Sequence, residues 1–353
     1  MEMVRLGRTN MMVSKLGFGG IPIQRLSEDE AVGVVKKCLE LGITYFDTAN
    51  AYTTSEERIG KAISRQRERL IIATKSGART RDGVEANLNL SLKRLGTNYI
   101  DLYQFHNVAD SDTLKAVLDP NGPMAILEEA KKNGVIRHIG ITSHSLDIAK
   151  EAVKTDCFET VMFGLNFMAP EAAVELLPIA REHDVGFVAM KPLAGGMLDN
   201  ATIAFKYLFQ FPEVVTIVGI ERIEQIEEIA QILEAPRAMT PVEQVEIERI
   251  RQELGKTFCH RCDYCQPCPE GIPISTVMIS RSFAKRLPPQ LFFGFTAEAL
   301  GKAANCSKCG TCEERCPYHL PIIDMMEELT VWYQEEKKKY EALLISNTRK
   351  RNA

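Results

Sequence analysis

Up to residue 240, short apolar runs alternate with stretches whose apolar residues recur at helical spacing. The runs SKLGFGG, ITYFDTA, LIIATKS, YIDLYQFH, VIRHIGITS, ETVMFGLNF, VGFVAMKP and VVTIVGI predict eight strands. The stretches between them predict helices over residues 28–41, 56–65, 83–95, 124–133, 146–154, 170–183, 201–209 and 223–233. Ile126, Leu127 and Ala130 illustrate the helical period, and Gly42, Gly96 and Gly134 stand where helices should stop. Strand–helix pairs repeated in this way predict a (β/α)8 barrel, the TIM-barrel class of α/β fold. A doubly wound sheet is the alternative. The first strand is not followed by G-x-G-x-x-G, which argues against that sheet. A turn signal at residues 7–10 predicts an N-terminal hairpin ahead of the first barrel strand. Past the last of these helices, the prolines of LEAPRAMTPV mark a linker, with Thr240 as N-cap of a further helix.

With 353 residues the chain exceeds one ordinary compact domain but suits a barrel plus a small second domain. A net charge of -4 gives no basic excess for nucleic acid. No apolar run approaches the ~20 residues of a membrane span. The first residues lack the apolar core of a signal peptide, so a cytoplasmic chain with reduced thiols is expected.

Ten cysteines are present. Cys38 and Cys157 stand alone and read as small buried apolar residues. The rest form two runs: Cys259, Cys262, Cys265 and Cys268 before Pro269, then Cys306, Cys309, Cys312 and Cys316 before Pro317. The second run is C-x2-C-x2-C-x3-C-P, a spacing that suits [4Fe-4S] ligation. In two-cluster ferredoxins the fourth cysteine of each run serves the other cluster. That logic assigns Cys259, Cys262, Cys265 and Cys316 to one cluster, and Cys306, Cys309, Cys312 and Cys268 to the other. The first run is one residue short before its last cysteine. Zinc is the competing reading of paired C-x2-C units. His260 and His319 read as solvated neighbours. Residues 274–304, between the runs, look helical and partly aromatic, so this domain is expected to be mainly helical and ferredoxin-like. The expected division is residues 1–235 barrel, 236–255 linker and helix, 256–335 iron–sulfur domain and 336–353 charged tail.

In such a barrel the active site lies at the C-terminal strand ends. The second strand runs into Asp47 and Tyr52, the third ends at Lys75 and the fourth at His106. Singly, these read as a loop cap, a snorkelling lysine and a core histidine. Together they form a set able to move a proton. A tyrosine with a pKa near ~10 is a poor acid at neutral pH until a cation stabilises its phenolate.

Here the chain resembles the aldo-keto reductase superfamily over residues 1–235. The most specific piece is FDTANAYTTSEERIGKAI, joined by the lysine of ATKS and the histidine of LYQFH. The resemblance implies a catalytic tetrad of Asp47, Tyr52, Lys75 and His106, and NADPH or NADH lying across the strand ends. Tyr52 would be general acid in reduction and general base in oxidation, with Lys75 lowering its pKa, Asp47 fixing Lys75, and His106 orienting the carbonyl. The resemblance also implies that Ser143 and Asn166 hold the carboxamide. Met162 stands where the family often has glutamine. Pro192, Leu193, Gly195 and Gly196 of KPLAGGML resemble the pyrophosphate loop. Arg222 is the implied contact for a ribose phosphate, flanked by Glu221 and Glu224, and Glu228 that for the adenine side.

The expected activity interconverts a small-molecule carbonyl and an alcohol. The alternative is a non-catalytic regulatory or electron-transfer subunit that keeps the barrel. Hydride carries two electrons and a cluster one, so the clusters are expected to stabilise the C-terminal domain or dock a redox partner protein, with electron relay as the alternative. Residues 107–124, after the fourth strand, are a candidate wall of the substrate site.

Overall fold

The computed structural model describes residues 1–351 apart from Arg65, Pro236, Arg237, Cys262, Asp263 and Pro317, with side chains as far as residue 344. The expected cluster ligand Cys262 therefore lies outside the described residues. The chain divides into two compact units, Met1–Ile247 and Glu248–Ala353.

The first unit opens with the expected hairpin, in which β1 (Met3–Arg5) pairs antiparallel with β2 (Met12–Ser14). Eight strands then close a parallel barrel: β3 (Leu16–Gly19), β4 (Tyr45–Asp47), β5 (Ile71–Ser76), β6 (Ile100–Phe105), β7 (Ile136–Thr142), β8 (Thr160–Gly164), β9 (Gly186–Met190) and β10 (Val215–Gly219). They follow chain order around the barrel, and β10 returns to β3. Buried on both faces, they read as near-continuous apolar runs, which is why the sequence exposed them. The helices are α1 (Glu28–Glu40), α2 (Ser55–Ile63), α3 (Arg81–Leu95), α4 (Ser111–Leu118), α5 (Pro123–Lys132), α6 (Leu146–Lys154), α7 (Leu177–Glu182), α8 (Ala201–Leu208), α9 (Ile223–Glu234) and α10 (Pro241–Leu254).

Two features depart from expectation. The stretch after β6 carries α4, capped by Asp110, whose side chain accepts from the Thr113 amide at 2.7 Å. The helix expected over residues 170–183 begins as a π turn at Ala172–Leu176 and only then becomes α7, because Pro178 lacks the N–H that a continuous helix needs.

Burial falls into layers. Outside the barrel, residues such as Phe46, Ile72, Tyr103 and Phe105 pack under the helices. Inside, Val4, Leu6 and Val13 of the hairpin segment join Tyr45, Ala73, Leu102, Met162 and Val188 in a separate apolar cluster. Each large aliphatic residue so buried contributes roughly 1.5–3 kcal/mol. Helices α2 and α3 approach closely at Gly60, where an added Cβ would lie 2.5 Å from the Leu95 carbonyl oxygen.

The second unit is helical: α11 (Ile274–Met278), α12 (Ser280–Arg286), α13 (Pro289–Ala303), α14 (Thr311–Glu314) and α15 (Ile322–Arg351). Its core gathers Ile274, Val277, Leu300 and Met326 around Cys312 and Cys316. The segment expected as a charged tail continues α15 as far as Arg351. Among the described residues no helix is long and apolar enough to cross a membrane.

Candidate active site and cysteine module

Strand alternation builds the site. Tyr45, Ala73 and Leu102 belong to the apolar cluster inside the barrel. Two residues further along the same strands, on the same inward face, stand Asp47, Lys75 and Gln104. Pairing sets their heights, with Asp47 opposite Ala73 and Lys75 opposite Gln104. Along each strand a polar side chain thus follows an apolar one at the C-terminal end, with Asp47 one step below Lys75 and Gln104 in the pairing.

Lys75 Nζ donates to Asp47 Oδ1 at 2.5 Å and to the Thr48 carbonyl at 2.6 Å. Gln104 Nε2 donates to Asp47 Oδ2 at 3.2 Å. Burial pushes the Asp47 carboxyl up, and Lys75 and Gln104 pull it back only in part. Burial alone would pull the Lys75 ammonium down. The Asp47 carboxylate and then Tyr52 outweigh it, so its net direction is up. The two directions oppose each other, and the lysine governs: a neutral Asp47 would leave a buried ammonium with no counter-charge.

Tyr52 sits in the turn after β4, where its amide donates to the Ala49 carbonyl and its carbonyl accepts from the Ser55 amide. Thr48 Oγ1 donates to Ser55 Oγ, which donates to the Gly20 carbonyl, pinning both ends of the turn. Lys75 Nζ lies 5.2 Å from the Tyr52 ring centroid. The His106 ring meets the Tyr52 ring edge-on at 5.7 Å. Burial, then the charges of Lys75 and Arg79, push His106 down to about 3, so its imidazole is neutral at physiological pH. The structure therefore brings Asp47, Tyr52, Lys75 and His106 into one cluster.

The residues expected around a nicotinamide lie at the ends of β7, β8 and β9. The Ser143 hydroxyl is buried against the Val108 and Ser145 carbonyls and accepts from the Ser145 amide. Asn166 Nδ2 donates to the Lys191 carbonyl at 3.0 Å, and its Oδ1 accepts from the Met168 and Ala169 amides. These bonds leave Asn166 one N–H and Ser143 one lone pair, a donor and an acceptor of the kind a carboxamide needs. Met162 is buried below them. After β9, Lys191, Ala194, Gly195 and Gly196 all take positive φ. The Gly196, Met197 and Leu198 amides turn inward onto the Leu193 carbonyl. What this loop offers a phosphate is close backbone approach at two side-chain-free residues rather than those three N–H groups. Pro192 is buried and Leu193 half-buried in the same turn. Arg222, just before α9, and Glu228, on it, stand apart, both exposed.

In the second unit the cysteines ring two hollows. One is lined by Cys259, Cys265 and Cys316, with His260 and Tyr318 stacked at 3.6 Å on its wall. The other is lined by Cys268, Cys306, Cys309 and Cys312, with Cys265 between the two. Each run thus sends its last cysteine to the other run's hollow. Among the described residues no three metal-binding side chains converge on a single point. The lone cysteines divide: Cys38 is buried, as expected, but Cys157 is exposed. It follows Asp156, which takes a φ of 58° just after α6.

Residues 15–202, more than half of the chain, match the aldo/keto reductase family. The chain belongs to that family. Residues 258–321 match a 4Fe-4S dicluster domain, so this aldo/keto reductase carries an iron–sulfur module later in its sequence. An uncharacterized oxidoreductase of Bacillus subtilis, YqkF, is 35% identical over 210 residues, which are 55% of this chain and 65% of that protein, just under two thirds of its length. L-galactose dehydrogenase of Arabidopsis thaliana is 32% identical over 56% of this chain and 67% of its own. Among solved structures, the holo form of an aldo-keto reductase from Bacillus halodurans superposes with a TM-score of 0.62 at 28% identity, covering 71% of this chain and 96% of that one. An aldo-keto reductase from Klebsiella pneumoniae, solved in complex with NADPH, shares the fold at 21% identity and a TM-score of 0.61, covering 71% and 95%.

Three contributors to this reductase's site had not been singled out. Gln104 holds the far oxygen of Asp47. Its signal was a polar residue at an inward position of an otherwise apolar strand. Glu56, almost wholly buried, accepts from Thr74 Oγ1 at 2.7 Å and faces Arg94, which also donates to the Asn50 carbonyl in the Tyr52 turn. Arg79 donates to the His106 carbonyl at 2.6 Å. Nothing in its spacing marked it.

Proposed function

We propose that the barrel interconverts a carbonyl compound and an alcohol with NADPH or NADH, Tyr52 acting as general acid in reduction and general base in oxidation. The observation that carries this reading is the buried Lys75 ammonium, fixed by Asp47 and set 5.2 Å from the Tyr52 ring. A nicotinamide, when bound, supplies or accepts the hydride. Tyr52 passes its phenolic proton to the carbonyl oxygen, and Lys75 stabilises the phenolate left behind. Neutral His106 donates an N–H to the same oxygen and orients it. Ser143 and Asn166 bind the carboxamide, and the loop from Pro192 and Leu193 to Gly195 and Gly196 receives the pyrophosphate. Arg222 takes a ribose phosphate, since Glu221 beside it turns to Arg25 at 3.9 Å, and Glu228 lies on the adenine side.

The same proposal assigns two [4Fe-4S] clusters to the second unit. Cys259, Cys262, Cys265 and Cys316 hold one, and Cys268, Cys306, Cys309 and Cys312 the other. The cysteine side chains knit α11, α14 and the loops into a single core or present a face to a redox partner protein, in a reducing compartment such as the cytoplasm.

The test is anaerobic purification with iron and sulfide assay, followed by cofactor absorbance with both nicotinamides and a carbonyl panel. Tyr52→Phe should keep cofactor binding and lose at least ~100-fold in turnover. A wild-type chain that consumes no cofactor would point instead to a regulatory or electron-transfer subunit.

A further inference from the structure

Resting on the oxidoreductase reading above, we propose that the substrate carries a carboxylate close to its reacting carbonyl, and that Arg79 receives it. Arg79 follows β5 at the rim of the barrel and reaches across to the end of β6. Its guanidinium donates to the Ala78, His106 and Asn107 carbonyls at 3.1, 2.6 and 3.1 Å. These bonds use three of the five N–H groups of an arginine and fix its plane. No carboxylate forms an ion pair with it among the described residues. Asp110 reaches it only through its field, because that carboxylate is committed to the Thr113 amide and hydroxyl. A half-buried guanidinium without a contacting counter-charge is costly unless something anionic completes it.

The position gives that anion a role. Arg79 holds the backbone of His106, and its charge is felt at the imidazole beside Tyr52. A carbonyl seated between Tyr52 and His106 puts its own substituents within reach of this rim. A carboxylate there would accept the remaining N–H groups as charge-assisted hydrogen bonds. The chemical class is therefore oxo acids and aldehyde acids in reduction, and hydroxy acids in oxidation.

The test compares full-length wild type, R79Q and R79K on matched pairs: succinic semialdehyde against butanal, and phenylglyoxylate against its methyl ester. Wild type should prefer the acid of each pair in kcat/KM. R79Q should reduce that acid-to-neutral ratio by about tenfold or more, chiefly through KM, and R79K should restore part of it. An unchanged ratio in R79Q, with both members of a pair losing alike, would make Arg79 a backbone clamp and overturn the assignment. A ratio that collapses only for glycolaldehyde phosphate against glycolaldehyde would replace the carboxylate with a phosphate and overturn it too. Should R79Q not fold, benzoate should compete with the aldehyde in wild type where methyl benzoate does not, and equal inhibition by the two sinks the proposal. Failure of the underlying reading looks different: no aldehyde, charged or neutral, would then consume cofactor.

Discussion

The ammonium of Lys75 donates to the Asp47 carboxylate at 2.5 Å, with both side chains shut off from solvent. Each is tolerable there only because of the other. Asp47→Asn removes the counter-charge, and we expect it to destabilise the barrel by about 3 kcal/mol, as breaking buried pairs does. The pH dependence follows. In the wild type Lys75 is raised above 10.5, so its contribution to stability is complete below that value and is lost as pH climbs through the raised one. In the variant its largest upward influence is gone, burial prevails and the lysine titrates lower. The alkaline limb of the rate profile should then move toward neutrality. Denaturant midpoints and a rate profile check both; an unmoved limb would show that Lys75 does not govern the rate.

His106 carries the opposite sign. Its folded value is pushed down to about 3 from an ordinary 6.5. Between those values the unfolded chain binds the extra proton, so stability rises with pH across that window and levels off above it. His106→Asn should flatten this acid limb by at most about 1.4 kcal/mol per pH unit. Paired chemical denaturation series from pH 4 upward would read the difference, and parallel curves would show that the imidazole titrates normally.

Gly60 should accept no side chain. Its added Cβ would meet the Leu95 carbonyl at 2.5 Å, a backbone atom that cannot swing aside. Gly60→Ala should cost roughly 1–3 kcal/mol by forcing α2 off α3, despite alanine's better helix propensity. A melting temperature at or above that of wild type would mean that the helices part without penalty.

Alkylation should separate the two solitary thiols. Exposed Cys157 should label in the native protein within minutes, while Cys38, buried and pushed up to about 12, should label only on unfolding. Peptide mass spectrometry distinguishes them from the eight clustered cysteines.

The sequence showed the barrel because parallel strands covered on both faces spell continuous apolar runs, and the clustering of Asp47, Tyr52, Lys75 and His106 because polar side chains stood at or just past the ends of three of them. It hid what depends on packing. Cys157 looks like Cys38 in composition, yet it is exposed just after the left-handed Asp156, while Cys38 is buried on α1. The α4 helix was obscured by its polar, proline-flanked setting, although Asp110 before Thr113 is a legible cap. Arg79 was invisible because its partners are backbone carbonyls, which leave no mark in the residue types around them.

The placing of Asp47, Lys75 and Gln104 two residues beyond Tyr45, Ala73 and Leu102 ties the polar cluster to strand registry. Sliding any of these three strands by a single residue would swing its reactive group outward among the helices and bring an apolar neighbour in. Rim segments that carry none of the clustered side chains face no such restriction. An engineer could therefore regraft rim loops other than the Tyr52 turn and keep this cluster, provided the ladders beneath were left unshifted.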